Sequence, residues 1–157
     1  MSATIQIKGL DKLRIKFENV EPGIKAGIKA ATVHVKGKVA RYPPATGANS
    51  PKSFTSGGNN TWYERGWGSK WALKAGSWHG RKSSENLGRK WTVEFRNNGL
   101  TGYIGNNVSY GRYVQGADEQ ASALKRIGWQ TTGDVAEQEA QTVTDFIKHQ
   151  IDLSLSK

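Results

Sequence analysis

The residues that could perform chemistry in this chain are few, and their spacing argues against most kinds. His34, His79 and His149 lie far apart, and none stands with a carboxylate at metal-ligand spacing such as H-x-x-x-H. Gly76-Ser77-Trp78-His79-Gly80-Arg81-Lys82-Ser83 has the look of a phosphate loop. Its lysine falls one place late for G-x-x-x-x-G-K-[ST], Trp78 crowds the loop, and no buried strand precedes it. The 13 acidic residues form no convincing catalytic pair, and neither a G-x-S-x-G elbow nor an H-E-x-x-H helix occurs. With no cysteine, disulfides and thiolate metal sites are excluded. The expectation is a protein that is not an enzyme and holds no metal or cofactor.

One constellation remains. Arg65, Lys70, Lys74, Arg81, Lys82, Arg89 and Lys90 interleave with Trp62, Tyr63, Trp67, Trp71 and Trp78. Cations alternating with aromatic rings suit phosphate neutralisation with base stacking. Tryptophan and arginine are equally the residues enriched where proteins meet. The charge adds to the first reading: the formal total is +10, with net +6 in residues 1–41, +6 in 42–90, +1 in 91–133 and −3 in 134–157. The basic and acidic ends could attract one another.

The elements that must position these residues follow from periodicity. Trp91, Val93 and Phe95 alternate with polar residues as in a half-buried strand, and Asn98-Gly99 supplies a type I′ turn. Paired numbers then add to 197, placing Val93 opposite Ile104 and Phe95 opposite Gly102, with Trp91, Val93, Phe95 and Ile104 as the apolar face. A lone hairpin is marginal in water, so something must cover it. Ala3–Lys8 reads as a short strand. Leu10, Leu13, Phe17 and Val20 suggest a first helical piece, interrupted by Pro22-Gly23. Ile24, Ile28, Ala31, Val35 and Val39 form the stripe of a second helix ending near Ala40. Residues 108–114 continue a loose alternation, and 117–127 read as a short helix. Asp134 with Glu137 marks a helix start, and Ala136, Ala140, Val143, Ile147 and Ile151 make its stripe.

Residues 42–90 are rich in Gly, Pro, Ser and Asn and lack a sustained period, yet hold four of the six tryptophans. The chain is therefore expected to be one domain, 1–157, with an inserted arm at about 44–90 whose Trp62, Trp67, Trp71 and Trp78 are candidate interface residues awaiting a neighbour. Weak strand signals at 61–63 and 70–73 fit a hairpin within it. No apolar run reaches the ~18 residues of a membrane span, and MSATIQIKG lacks a signal-peptide core, so a soluble chain made in a cytoplasm is expected.

Several stretches resemble the tail-completion or neck proteins of long-tailed bacteriophages, also described as head-tail joining or minor tail proteins. They are IQIKGLDKL near the start, GRKSSENLGRKW at 80–91, IGNNVSYGRYVQG at 104–116 and Arg126-Ile127-Gly128-Trp129. The third matches an I-G-(N/T)-x-V-x-Y-(A/G)-x-Y-V-(Q/E/H)-G signature and the fourth an R-x-G-W step. The resemblance implies an α+β fold, an antiparallel sheet with a central hairpin and two longer helices on one side. It also implies a virion structural protein in a homo-oligomeric ring, beside connector, tail-terminator or tail-tube proteins and in passive reach of genomic DNA. Within the signature Gly105, Gly111 and Gly116 are expected at turns, Tyr110, Tyr113 and Trp129 as packing anchors, and Gly128 beside Trp129. The alternative is a basic nucleic-acid-binding module.

Overall fold

The structure, a computed structural model, describes residues 10–50, 61–65, 68–72, 78–80 and 84–156; for 10–17, 19, 69–72 and 78–80 it describes the backbone alone. The strand read at Ala3–Lys8 and the Trp67 position lie outside the described residues. The fold is α+β. Two long helices, α1 (Leu10–Val39) and α5 (Thr132–Leu155), pack along one another and bracket strands and three short helices. The strands are β1 (Thr61–Glu64), β2 (Gly68–Ala72), β3 (Trp78–Gly80), β4 (Trp91–Arg96) and β5 (Thr101–Asn106). The short helices are α2 (Asn86–Arg89), α3 (Gly111–Gln115) and α4 (Ser122–Arg126).

The break expected at Pro22-Gly23 does not occur: α1 runs through it as one helix of 30 residues, about 45 Å long. A proline inside a helix removes one donor and normally costs about 3 kcal/mol. Here Pro22 is exposed while Gly23 is buried against Ser154 and Gln150 of α5. One turn later, a Cβ on Gly27 would stand 2.7 Å from Ile147 Cα. The glycines are where two helix backbones touch, and that packing offsets the proline. At α5 the cap is Thr131 rather than Asp134. The Thr131 hydroxyl accepts from Asp134 N at 3.0 Å, and the Asp134 carboxylate accepts from Thr131 N at 2.9 Å, a complete capping box. The inner face of α5 also departs from the expected stripe. Val135 is buried and Glu139 half-buried, while Ala136 and Ala140 are exposed.

Strands β4 and β5 pair antiparallel, Val93 with Ile104 and Phe95 with Gly102. Leu100 N donates to Asn97 O at 3.0 Å across Asn98 and Gly99, both at positive φ, as a type I′ turn requires. Asn97 is also left-handed (φ 51°), so the ladder ends at Arg96 and Thr101. Helix α1 lies on this pair. Thr32 fills the space where a Gly102 side chain would stand, which explains the glycine better than a ring laid across it. Phe95, expected on the covered face, is exposed because that cover does not extend over it. Helix α5 packs chiefly along α1 and joins the sheet through Val135, which meets Val39 and Trp91.

β1, β2 and β3 form a second antiparallel sheet, with Thr61 opposite Trp71 and Trp71 opposite His79. The expected arm is corrected in part. Trp62 and Tyr63 are buried within the single chain, and Tyr63 and Leu87 share a core with Ile127 and Trp129. Trp62, Tyr63 and Leu87 are thus part of the chain's own interior. Residues 108–114 are a turn and the start of α3 rather than a strand, and the helix read at 117–127 narrows to α4.

Candidate interaction site

The stretch from Ile104 to Trp129 divides into residues that face inward and residues that face out. Inward, Trp129 is 6% exposed and Ile127 1%. What turns Trp129 in is the end of α4. Gly128 adopts φ +94°, its N–H reaches Lys125 O at 3.1 Å, and Trp129 N reaches Leu124 O at 3.1 Å. These two bonds are the Schellman pattern, in which a left-handed glycine folds the next residue back over the helix it ends. The Arg-Ile-Gly-Trp step is therefore a helix stop that aims an indole.

The indole meets Tyr42 and Tyr63 edge-on, each with centroids 5.2 Å away, and those two rings stack on one another at 5.2 Å. Side-chain bonds to loop backbone hold the three in place. The Tyr42 hydroxyl donates to Glu85 O at 2.8 Å and accepts from Gly88 N at 2.9 Å. Burial pushes the Tyr42 hydroxyl pKa up, the Gly88 bond pulls it down, and the Glu85 charge raises it further. Asn49 Oδ1 accepts from Tyr63 N at 2.6 Å while its Nδ2 donates to Pro44 O at 2.9 Å. Gln120 Nε2 donates to Val114 O and Trp129 O, both at 2.8 Å, and Gln115 Nε2 to Val39 O at 2.8 Å. In this way loops lacking a ladder satisfy buried carbonyls and amides.

Outward, Tyr110 is 45% and Tyr113 46% exposed, so neither is the packing anchor expected. Helix α3 is short and turns this face to solvent. Arg112 lies over the Tyr113 ring at 4.7 Å, donates to its hydroxyl at 2.7 Å and pairs with Glu119 at 3.2 Å. The same pairing recurs on the open face of the hairpin, where Arg96 covers the exposed Tyr103 at 4.8 Å and bonds Glu94 at 2.7 Å. Leu100 at the turn is exposed as well. Gly105 sits within β5 rather than at a turn; Gly111 closes the Val108–Gly111 turn, its N donating to Val108 O at 2.9 Å, and opens α3; Gly116 ends α3, against the Arg112 carbonyl.

Of the four tryptophans named for the arm, Trp62 is buried, Trp67 lies outside the described residues, and Trp71 and Trp78 have described backbones in β2 and β3. A groove of about 610 Å³ is lined by Arg41, Arg65 and Arg89 with Tyr42 and Glu85. Arg65 and Glu85 stand 3.5 Å apart. Between the long helices, Glu139 accepts from Lys38 at 2.6 Å and bonds His34 at 2.7 Å, and the His34 ring packs on Phe146 at 5.2 Å. The Lys38 bond first and the His34 bond second hold the Glu139 carboxyl at about 2.

Among the described residues no cluster of His, Asp and Glu is suited to a metal, and no helix is long and apolar enough to cross a membrane. Compared with known proteins, the chain matches no family model, no curated protein and no solved structure. Sequence reasoning missed Tyr42, Asn49 and Glu139, and did not single out Gln115. Each hydrogen-bonds at least one partner distant in sequence, and no local period marks such a residue.

Proposed function

We propose that this protein is a structural component of a phage virion that assembles as a ring at the neck or tail end, beside connector, tail-terminator or tail-tube proteins. The observation that carries this reading is the split within the resembling stretch. Its helix stop and Trp129 build the subunit core, while Tyr110 and Tyr113 stand nearly half-exposed beside Arg112. Tyrosine and arginine outside a core are the residues that anchor protein contacts. The ring would be cyclic, each copy offering one surface to the next. Light scattering on the purified chain, together with imaging of the particles, tests it: discrete rings or density in the virion neck are expected, and virions that lack the protein would refute it.

A second reading, a basic nucleic-acid-binding module, rests on the +10 charge and the Arg41, Arg65 and Arg89 groove. It requires affinity for DNA that falls steeply with salt. Undetectable binding to duplex and single-stranded DNA at about 50 mM salt, where non-specific binding is strong, would remove it.

A further inference from the structure

Tyr42 does more than close the aromatic cluster. Its hydroxyl ties the chain leaving α1 to the segment around α2, donating to Glu85 O at 2.8 Å and accepting from Gly88 N at 2.9 Å. Only glycine fits at position 88, where a Cβ would stand 2.6 Å from Tyr42 Cε2 and 3.0 Å from Ala40 O. Two backbones therefore meet at Ala40 and Gly88, and the next residue of each is an arginine. Arg41 and Arg89 are exposed and line the groove of about 610 Å³ beside this contact, with Arg65 and Glu85 in the same wall.

The charges of that wall do not balance. Arg65 stands 3.5 Å from Glu85 and lies over the Tyr42 ring, 5.9 Å from its centroid. Neither Arg41 nor Arg89 has an acidic partner or a side-chain hydrogen bond among the described residues, whereas Arg96 and Arg112 each hold a carboxylate. Three guanidiniums against one carboxylate leave net +2 on the described wall. A cleft lined by one sign of charge concentrates ions of the other.

What answers two such forks is an anion with a charge near that of the excess and acceptor oxygens for both. A carboxylate or a phosphodiester brings a single negative charge and would leave one guanidinium unanswered. A phosphate monoester carries about −1.5 to −2 at pH 7 on three strong acceptor oxygens. Arginine forks match such oxygens two at a time.

We propose that this groove binds a phosphate monoester, Arg41 and Arg89 donating to its terminal oxygens while Arg65 stays on Glu85. The site needs no ring, and it differs from general nucleic-acid binding, for which a run of diester phosphates suffices. The test titrates the full chain at constant ionic strength with methyl phosphate, a nucleoside monophosphate and sulfate, following the arginine side-chain N–H signals by NMR. Methyl phosphate is expected to move the Arg41 and Arg89 signals. Arg41→Gln and Arg89→Gln should each weaken its binding about tenfold, and Lys148→Gln, at an exposed position on α5, should leave it unchanged. Both arginines are exposed, so their loss spares the fold. A monoester gives up its second charge near pH 6, so its affinity should fall as the pH is lowered from about 7 to about 5. Sulfate, a dianion throughout, should hold its own, since no histidine lines the groove and the wall's other ionisable groups, Glu85 and Tyr42, act on both anions alike. Tighter binding of the nucleoside monophosphate than of methyl phosphate would support the site with a nucleotide as ligand, and equal binding would support it with the phosphate group as the whole of what is recognised. Arginine signals that stay put, or a loss in Lys148→Gln as large as in Arg41→Gln, would overturn the site. A single-stranded oligonucleotide bound equally with and without a terminal phosphate would overturn it too, in favour of the nucleic-acid reading, and none of these results bears on whether rings form.

Discussion

Trp129 and Tyr113 belong to the same short stretch of chain, and the folded subunit puts them in opposite environments. The first closes an aromatic cluster with Tyr42 and Tyr63; the second lies on the surface under Arg112. Residue type does not separate them, since both are large aromatics with a glycine and an arginine among the three residues before them. The backbone does. A left-handed glycine at the end of α4 folds Trp129 inward, while α3 carries Tyr113 on a face that leaves its ring 46% exposed. Where an aromatic goes is set by the local device that aims it, and its consequence, stability or contact, follows from that.

The comparison can be broken most sharply at Trp129. Trp129→Ala empties the centre of the cluster and should cost about 3–5 kcal/mol, read as a lower denaturant midpoint of the isolated subunit. Gly128→Ala tests the device itself. An alanine held at φ +94° should cost about 1–2 kcal/mol while its Cβ meets only Pro43 Cβ, at an ordinary 3.9 Å, and an unchanged midpoint would mean that the turn does not aim the indole.

A third test concerns the clasp between the helices rather than either aromatic group. The Glu139 carboxyl is held at about 2, below its ordinary 4.5, by Lys38 and then His34. Its contribution is therefore complete above about pH 4.5 and lost as the pH falls toward 2. Glu139→Gln should flatten the pH dependence of the melting temperature across that window, and parallel curves for the two proteins would contradict the bond. Tyr113→Ala should have the smallest effect on folding, within about 0.5 kcal/mol, because its ring covers no core. If the proposed ring forms, its larger effect is expected on assembly. A Tyr113→Ala subunit that unfolds as readily as Trp129→Ala would erase the distinction.

Much of the β4–β5 pairing was legible in the sequence because alternation and Asn98-Gly99 are local signals, and they set which residues face each other. The two long helices were legible for the same reason. Pro22-Gly23 misled because a close crossing with α5, distant in sequence, outweighs what the pair does locally. The segment at 42–90 misled more. Its composition looks solvated, yet Tyr42, Asn49 and Tyr63 exchange hydrogen bonds and ring contacts that no period announces. Tyr110 and Tyr113 were expected inside, because a motif rich in glycine and tyrosine reads as packing until the helix that carries it is placed. The site was thus legible in location and not in direction.

The central claim is that the outward aromatics serve a contact between copies in a closed ring. The mass of the purified chain by light scattering over a wide concentration range tests it most directly. A discrete multiple of the 17.2 kDa subunit, lowered by Tyr113→Ala and untouched by Gly37→Ala at an exposed position, is the expected result. A single 17.2 kDa species at every concentration, with salt-sensitive DNA binding in place of assembly, would contradict it.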